Sequence, residues 1–437
     1  MKRVSVPVRP TSAEMQQVWR GLTVLLFGLF LVCGIWHAAV APVGQTGYQD
    51  APDEAAHVNY ARALSNGGFP TAAEARRDPR QQSYEWHQPP LYYAVAAVFL
   101  HFGYRAARVA SIVCGLLTLA LIVAAVRLIW PGRGDIAVAA LAFAAALPGN
   151  IAISSAVNND AMLEMWFSAV LLCCILGASG GFSVQLALIT GLCLGAALLT
   201  KATSLLLVPI IAVALAMAWR RRHGRREVML ATASVAGVAF AISGWWFVRS
   251  MIIYHELLPL RAFNSMFGGT VQARDVAAGK LPGLGVENWG GYAWLVCRWS
   301  FKSFWAVYGV PRSAVIGAPV FLPAQVYVLA LGICLACFAG LVKMHQFRNS
   351  QPQIVKDAMA LMALTIGAVA FSFAVFLSRY FQAQGRYLYP AILPMALLGG
   401  FGWTSVFPDR YRGAGVGGLC AVLGLFCIAL FIYATPH

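Results

Sequence analysis

Charge is what this sequence has least of. Of its 437 residues only 32 are Lys or Arg and 16 are Asp or Glu, together 11%, where a soluble globular chain carries about 25%. That scarcity excludes a soluble architecture. The chain also lacks an internal repeat, a low-complexity tract and a soluble segment, so residues 1–437 read as a single membrane domain. Hydrophobic residues make up 60%, enough at roughly 20 per helical crossing of a hydrocarbon core for about ten to twelve spans. The expected class is an all-α polytopic membrane protein. Its net charge of +16 is no sign of nucleic-acid binding until the basic residues have been assigned to sides of the membrane.

A disulfide framework is missing too. Nine of the ten cysteines (Cys33, Cys114, Cys173, Cys174, Cys193, Cys334, Cys337, Cys420 and Cys427) fall inside apolar runs, where a thiol packs as a small hydrophobe. Cys297 alone lies in a long loop and has no obvious partner. Cys334 and Cys337 match the C-x-x-C pattern, but in mid-span rather than in a βαβ setting, which argues against a redox role. The amino-terminal run Leu22–Val40 ends like a signal peptide at Ala39-Val40-Ala41. Pro42 would follow the scissile bond, and the run is long enough to span, so it is expected to stay as the first helix.

What is abundant is apolar runs. Eleven spans are expected, near residues 22–41, 106–127, 135–155, 160–179, 183–200, 203–219, 228–248, 321–342, 358–378, 387–405 and 414–433. With the amino terminus inside, 16 basic residues fall in the inside segments, among them Lys2, Arg3, Arg9, Arg20, Arg133 and the run from Arg220 to Arg226. The short outside loops hold three: Lys201, Arg379 and Arg386. The positive-inside rule therefore puts the amino terminus in the cytoplasm. The remaining 13 fall at two long outside loops, about residues 42–105 and 249–320, which the rule does not count. Long loops in a compact protein are often functional, and these two share the extracytoplasmic face.

The first of them gathers six of the 16 acidic residues: Asp50, Asp53, Glu54, Glu74, Asp78 and Glu85. Pro52 suits an early helical position, and Glu54 and His57 would share a helix face close to the membrane surface. A second segment, Tyr84-Glu85-Trp86-His87-Gln88-Pro89-Pro90-Leu91-Tyr92-Tyr93, leads into about 12 apolar residues before His101, too few to span, hence an interfacial or re-entrant helix. On composition alone the cluster could equally be a solvated loop with an aromatic belt.

At Ala51-Pro52-Asp53-Glu54-Ala55-Ala56-His57 and His87-Gln88-Pro89-Pro90-Leu91-Tyr92-Tyr93 the chain resembles the GT-C superfamily of membrane glycosyltransferases. Within it the likeness is to bacterial relatives of the protein mannosyltransferases and the lipid A aminoarabinose transferase. Val157-Asn158-Asn159-Asp160, Ser303-Phe304-Trp305-Ala306-Val307-Tyr308-Gly309 and Gln384-Gly385-Arg386-Tyr387-Leu388-Tyr389-Pro390 fit an uncharacterised bacterial branch, and the resemblance covers most of the chain. Those two groups of enzymes carry a further soluble domain or large loop that this sequence does not show, so no acceptor is carried over from them.

The resemblance implies inverting transfer of a sugar from a polyprenyl-phosphate donor at the outer face of the bacterial cytoplasmic membrane. The acceptor would be a lipid, glycan or protein, with membrane lipids as further partners and no nucleic acid. Such chemistry needs a base and positive charge for the departing phosphate. Asp53 is the candidate base, with Glu54 the weaker alternative and a helix cap the structural one. Arg386, Lys201 and Arg379 are the donor-phosphate candidates; interfacial snorkelling is the alternative for both arginines. His57, Glu85, His87, Gln88, Tyr92 and Asp160 are candidate substrate-binding residues, and Glu164 lies one helical turn from Asp160. Arg298 and Lys302 would share a face of an interfacial helix, better explained by lipid headgroups. No cofactor is firmly implied. Asp53, Glu54, His57, Glu85 and His87 leave a divalent cation open, although their spacing fits no ligand pattern. The rival classes are a lipid-linked glycan transporter or flippase, which would call for charges deep in spans and a repeat, and an O-antigen-type polymerase.

Overall fold

The computed structural model describes residues 13–41, 53–78, 83–221, 224–266, 269–306 and 321–433. Lys2, Arg3, Arg9, Pro42, Asp50, Ala51, Pro52, Arg222, His223 and the stretch Val307-Tyr308-Gly309 lie outside the described residues.

The apolar runs become helices in chain order. The first is α1 (Ala13–Val40), after which α2 (Glu54–Ser65), α3 (Ala72–Ala75), a 3-10 turn at Tyr84–His87 and α4 (Leu91–Leu100) occupy the first long loop. Then come α5 (Tyr104–Ile129), α6 (Gly134–Ala145), α7 (Pro148–Ser154), α8 (Asp160–Gly180), α9 (Val184–Leu198), α10 (Leu207–Arg220) and α11 (Arg225–Tyr254). The second long loop holds α12 (Leu260–Met266), α13 (Ala273–Ala277) and α14 (Trp289–Trp305). The chain continues as α15 (Ala324–His345), α16 (Gln353–Leu377), a 3-10 segment Gly385–Ala391, α17 (Ile392–Val406) and α18 (Asp409–Tyr433). Among the described residues there is no extended strand, only an isolated bridge between Gln272 and Tyr380.

The all-α membrane class stands, while the count of eleven spans is not confirmed by helix length. Eight described helices are long and apolar enough to cross a membrane, nine if one bent pair counts as a span. All eleven expected segments fall on helix. The discrepancy comes from length: α9 and α17 have 15 residues each, short of the roughly 20 of a full crossing. The segment expected at 135–155 breaks between α6 and α7 with a 65° bend. Pro148 sits in the first turn of α7; it lacks an N–H for the preceding turn and disfavours helical geometry at Leu147.

At the centre lies α8, with 78% of its apolar window buried; α6, with six alanines in its 12 residues and most of them buried, packs against α1, α5, α17 and α18. Small residues let helices approach closely here, as in membrane bundles generally. A side chain at Gly340 on α15 would meet the Gly402 carbonyl of α17 at 1.9 Å, so that crossing admits only glycine.

Ion pairs mark both ends of the bundle. At one end Asp135, buried before α6 begins to cross, accepts from Arg133 at 2.7 Å and faces Arg412 of α18 at 3.6 Å. At the same end Arg221 pairs with Asp357 of α16 and donates to the Ala178 carbonyl of α8. One member of the basic run at 220–226 thus ties three helices together, beyond any part in setting topology. At the other end the two long loops meet over the starts of α5, α8 and the 3-10 segment at Gly385.

Candidate active site

Four charged residues form an alternating chain at that second end. Asp53, just before α2, pairs with Arg386 at 2.5 Å; Arg386 also faces Asp160 at 3.4 Å; and Asp160 pairs with Lys201.

Local geometry explains how each arrives. Asp53 has φ 64°, a left-handed conformation that Asp tolerates better than most residues at a cost of order 1 kcal/mol. Its carbonyl starts the helix by accepting from Ala56 and His57, but its side chain does not cap it. The carboxylate instead accepts from the Tyr84 hydroxyl at 2.8 Å and from Arg386. Arg386 follows Gly385, where a Cβ would fall 2.3 Å from the Phe304 amide, so α14 packs directly on this backbone. Nε of Arg386 donates to Gln384 at 2.7 Å, and its guanidinium lies 5.1 Å from the Tyr387 ring centre. Asp160 opens α8, with its amide donating to the Asn158 side chain at 2.7 Å. Lys201 reaches it from the turn between α9 and α10.

These groups line a cavity of about 270 Å³ together with His57, Glu85, His87 and Gln88. Its other wall is apolar, built by Trp246 and Phe247 of α11 and Val369, Phe373 and Phe376 of α16. His57 Nδ1 lies 2.9 Å from the Tyr93 hydroxyl. His87 Nδ1 lies 2.7 Å from the Tyr84 carbonyl, while its Nε2 and Glu85 Oε2 are buried without a partner.

Electrostatics divides the carboxyls. Burial pushes Asp53 up, but the charges of Arg386 and His57 and the hydrogen bonds from Arg386 and Tyr84 outweigh it and hold the group below the usual carboxylate range. Glu85 is pushed up by burial, which its neighbours His57, Lys201 and Arg386 only partly offset. Burial lowers His57 despite the nearby carboxylates. It lowers His87 to about 4, against the pull of the Tyr84 carbonyl.

Three candidates stand elsewhere. Glu54, next to Asp53 in sequence, turns away from the cavity: Arg108 grips it through two bonds of 2.7 and 2.6 Å, and it accepts from the Val157 amide at 2.8 Å. Both partners of that pair are at most 1% exposed, which makes Glu54 a structural residue and takes it out of reach of the cavity. Tyr92 is buried behind the wall, bonded to Ser111 at 2.7 Å and to the Asn158 amide at 2.8 Å. Arg379 is exposed, away from the cavity. Its backbone accepts from Ala273. Arg298 and Lys302 both lie on α14; Lys302 sits over the Phe321 ring at 4.8 Å, outside the cavity. Among the described residues no three His, Cys, Asp or Glu side chains are grouped as a cation site.

Sequence reasoning missed Tyr84 and Arg108 as working residues and the whole aromatic wall. An arginine inside an apolar run was the available signal for Arg108, since such a charge needs a buried partner.

This helical bundle with its charged cavity has the GT-C fold. Residues 87–246 match the family described as dolichyl-phosphate-mannose-protein mannosyltransferase. Over 100 residues the chain is 38% identical to the lipid A galacturonosyltransferase RgtD of Rhizobium johnstonii, spanning 23% of this chain and 21% of that protein. The fold is similar to that of ArnT from Cupriavidus metallidurans, crystallised bound to undecaprenyl phosphate, with TM-score 0.53, 17% identity, and 94% of this chain and 64% of that one covered. It is also similar to the apo oligosaccharyltransferase of Archaeoglobus fulgidus, at TM-score 0.50, 13% identity, and 97% and 56% covered. The chain thus spans about a fifth of the curated relative and under two thirds of these solved structures.

Proposed function

We propose that this protein is a glycosyltransferase that moves a sugar from a polyprenyl-phosphate donor to an acceptor hydroxyl, with inversion at the anomeric carbon. It would act at the outer face of the bacterial cytoplasmic membrane, with its amino terminus inside. The observation that carries the reading is the pairing of Asp53 with Arg386 in a cavity that is charged on one side and apolar on the other. The fold shared with a protein crystallised with undecaprenyl phosphate supports the donor class. The partial identity to a lipid A galacturonosyltransferase supports an envelope glycolipid as acceptor.

In this mechanism the donor phosphate takes Arg386 and Lys201 in exchange for Asp53 and Asp160. A guanidinium fork matches phosphate oxygens, and fixed cations in a water-poor site act where charge develops. The isoprenoid lies along Trp246, Phe247, Phe373 and Phe376. Asp53, released from Arg386, accepts the proton of the acceptor hydroxyl as that oxygen attacks the anomeric carbon. The bond from that carbon to the phosphate oxygen breaks, and polyprenyl phosphate leaves with the electron pair. Arg386 stays on the phosphate throughout.

The test is transfer by the purified full chain from synthetic polyprenyl-phosphate sugars to envelope lipid extracts, followed by mass spectrometry of the product. Sugar-dependent product that disappears in Asp53→Asn is the expected result. Failure to bind bare polyprenyl phosphate would overturn the proposal.

A further inference from the structure

We propose that the cleft between α15 and α16, at the end of the bundle away from the charged cavity, binds a membrane phospholipid with an anionic headgroup, an inference that goes beyond the glycosyltransferase reading and does not rest on it. The two helices are consecutive and joined only by residues 346–352, yet they barely touch: α15 packs along α17, while α16 leans on α8, α10 and α17. Between them lies a cavity of about 620 Å³, within the usual size of a small-ligand site. Leu398 and Phe401 of α17 form its floor. Ala360 and Ala363, exposed on α16, keep that wall shallow, and Leu341 lines the α15 side. Both walls are helices long and apolar enough to cross a membrane, so lipid is what reaches this cleft.

The cleft is polar at one end only. His345 closes α15, Asn349 and Gln351 belong to the link, and Lys356 stands in the first turn of α16; all four line the cavity. Ala363 lies further along α16, about 10 Å deeper at the helical rise per residue. An amphiphile standing along the helices, with its headgroup at the link and its chain toward the middle of the bundle, matches that division. The sign of the headgroup follows from Lys356. A helix start favours negative charge, but the first turn of α16 holds no acid and its cap residue, Pro352, offers no side-chain acceptor. Lys356 adds a full positive charge there. Its ammonium donates to the Asn349 carbonyl at 3.0 Å, a bond that leaves the charge uncompensated. The neighbouring Asp357 is held by Arg221 and Gln353, and none of the described residues lining the cleft is acidic. A phosphodiester supplies the anion, whereas a zwitterionic headgroup would bring a second cation to the same place. Basic pockets between spans are recurrent sites for anionic headgroups.

The experiment counts lipids bound to the purified full chain by native mass spectrometry, with phosphatidylglycerol and phosphatidylcholine of identical acyl chains as probes. The wild type should bind phosphatidylglycerol roughly 5-fold more tightly, the worth of one lysine at an anionic surface. Lys356→Gln should bring that ratio close to unity. Lys343→Gln removes the same charge from the same end but outside the cleft, where Lys343 donates to the Ser405 carbonyl, and should leave the ratio standing. Ala360→Leu combined with Ala363→Leu fills the cleft with side chains that a span tolerates and should weaken the binding of both lipids. Glycerol phosphate, a headgroup without chains, should not compete. Equal binding of the two lipids, equal loss in the two lysine variants, or a double-leucine protein that binds as the wild type does overturns the proposal. Displacement by glycerol phosphate would make this a site for soluble anions and overturns it as well. None of these outcomes depends on the transfer reaction.

Discussion

The Asp53 carboxylate and the Arg386 guanidinium meet at 2.5 Å across 333 residues of chain. Arg386 is also the group that faces Asp160, so a single arginine joins the first long loop, the start of α8 and the approach to α17. This pairing keeps Asp53 a weak base and the cation neutralised. An anionic ligand that takes Arg386 frees the carboxylate in the same step, which couples donor binding to readiness for proton transfer.

If Asp53 accepts the acceptor proton, Asp53→Asn should lower transfer by about 10²- to 10⁴-fold, the usual worth of a positioned base. Donor binding should be kept or strengthened, because the competing charge on Arg386 is gone. Initial rates and donor affinity measured on the same preparation decide this. Transfer near the wild-type rate would show that another group takes the proton.

Glu54 gives the contrasting case. Its pair with Arg108 is buried, and Arg108 also donates to the carbonyls of Ala38 and Ala41 at 2.8 and 3.1 Å, tying the end of α1 to α2 and α5. Removing one partner of a buried pair costs about 3–5 kcal/mol. Glu54→Gln should therefore cut thermal stability and folded yield while the folded fraction retains its turnover. A stable variant with lost turnover would place Glu54 in the chemistry after all.

The pH dependence follows from what surrounds Asp53, namely Arg386, His57 and the Tyr84 hydroxyl. Arg386 and its neighbours outweigh burial and lower its pKa. A base works deprotonated, so kcat/KM, which reports the free enzyme, should hold its plateau through the ordinary carboxylate range and fall only at more acidic pH. Arg386→Gln removes the chief opposing charge and leaves burial, so the acid limb should move to higher pH as well as the overall rate falling. An acid limb that stays in place would show that Arg386 does not set the state of Asp53.

The apolar runs made the helical class legible, and the sorting of basic residues directed attention to the outer loops. The site was legible in part. Asp53, His57, Glu85, His87, Asp160, Lys201 and Arg386 share one cavity because each sits at a helix end or in a turn, where motif residues are displayed. Neighbourhood along the chain misled elsewhere. Glu54 adjoins Asp53, but the left-handed step at Asp53 and the start of α2 send the two side chains to different partners. Arg379 is seven residues from Arg386, and the turn between α16 and the 3-10 segment separates them. The aromatic wall could not be read at all, since Phe373 and Phe376 follow the same pattern as residues facing lipid.

Sidedness gives the last prediction, from a single thiol. Cys297 on α14 is exposed, whereas the other exposed cysteine, Cys334, lies in the hydrocarbon-length helix α15. Thiols react as thiolates and need water around them, so a membrane-impermeant maleimide should reach Cys297 and spare Cys334. In the proposed orientation α14 faces outward. Intact spheroplasts should then take up about one label per chain, lost in Cys297→Ser, with no gain on permeabilisation. Labelling that appears only after permeabilisation would put the charged cavity on the cytoplasmic side, where a nucleotide-activated donor would be as accessible as a lipid-linked one.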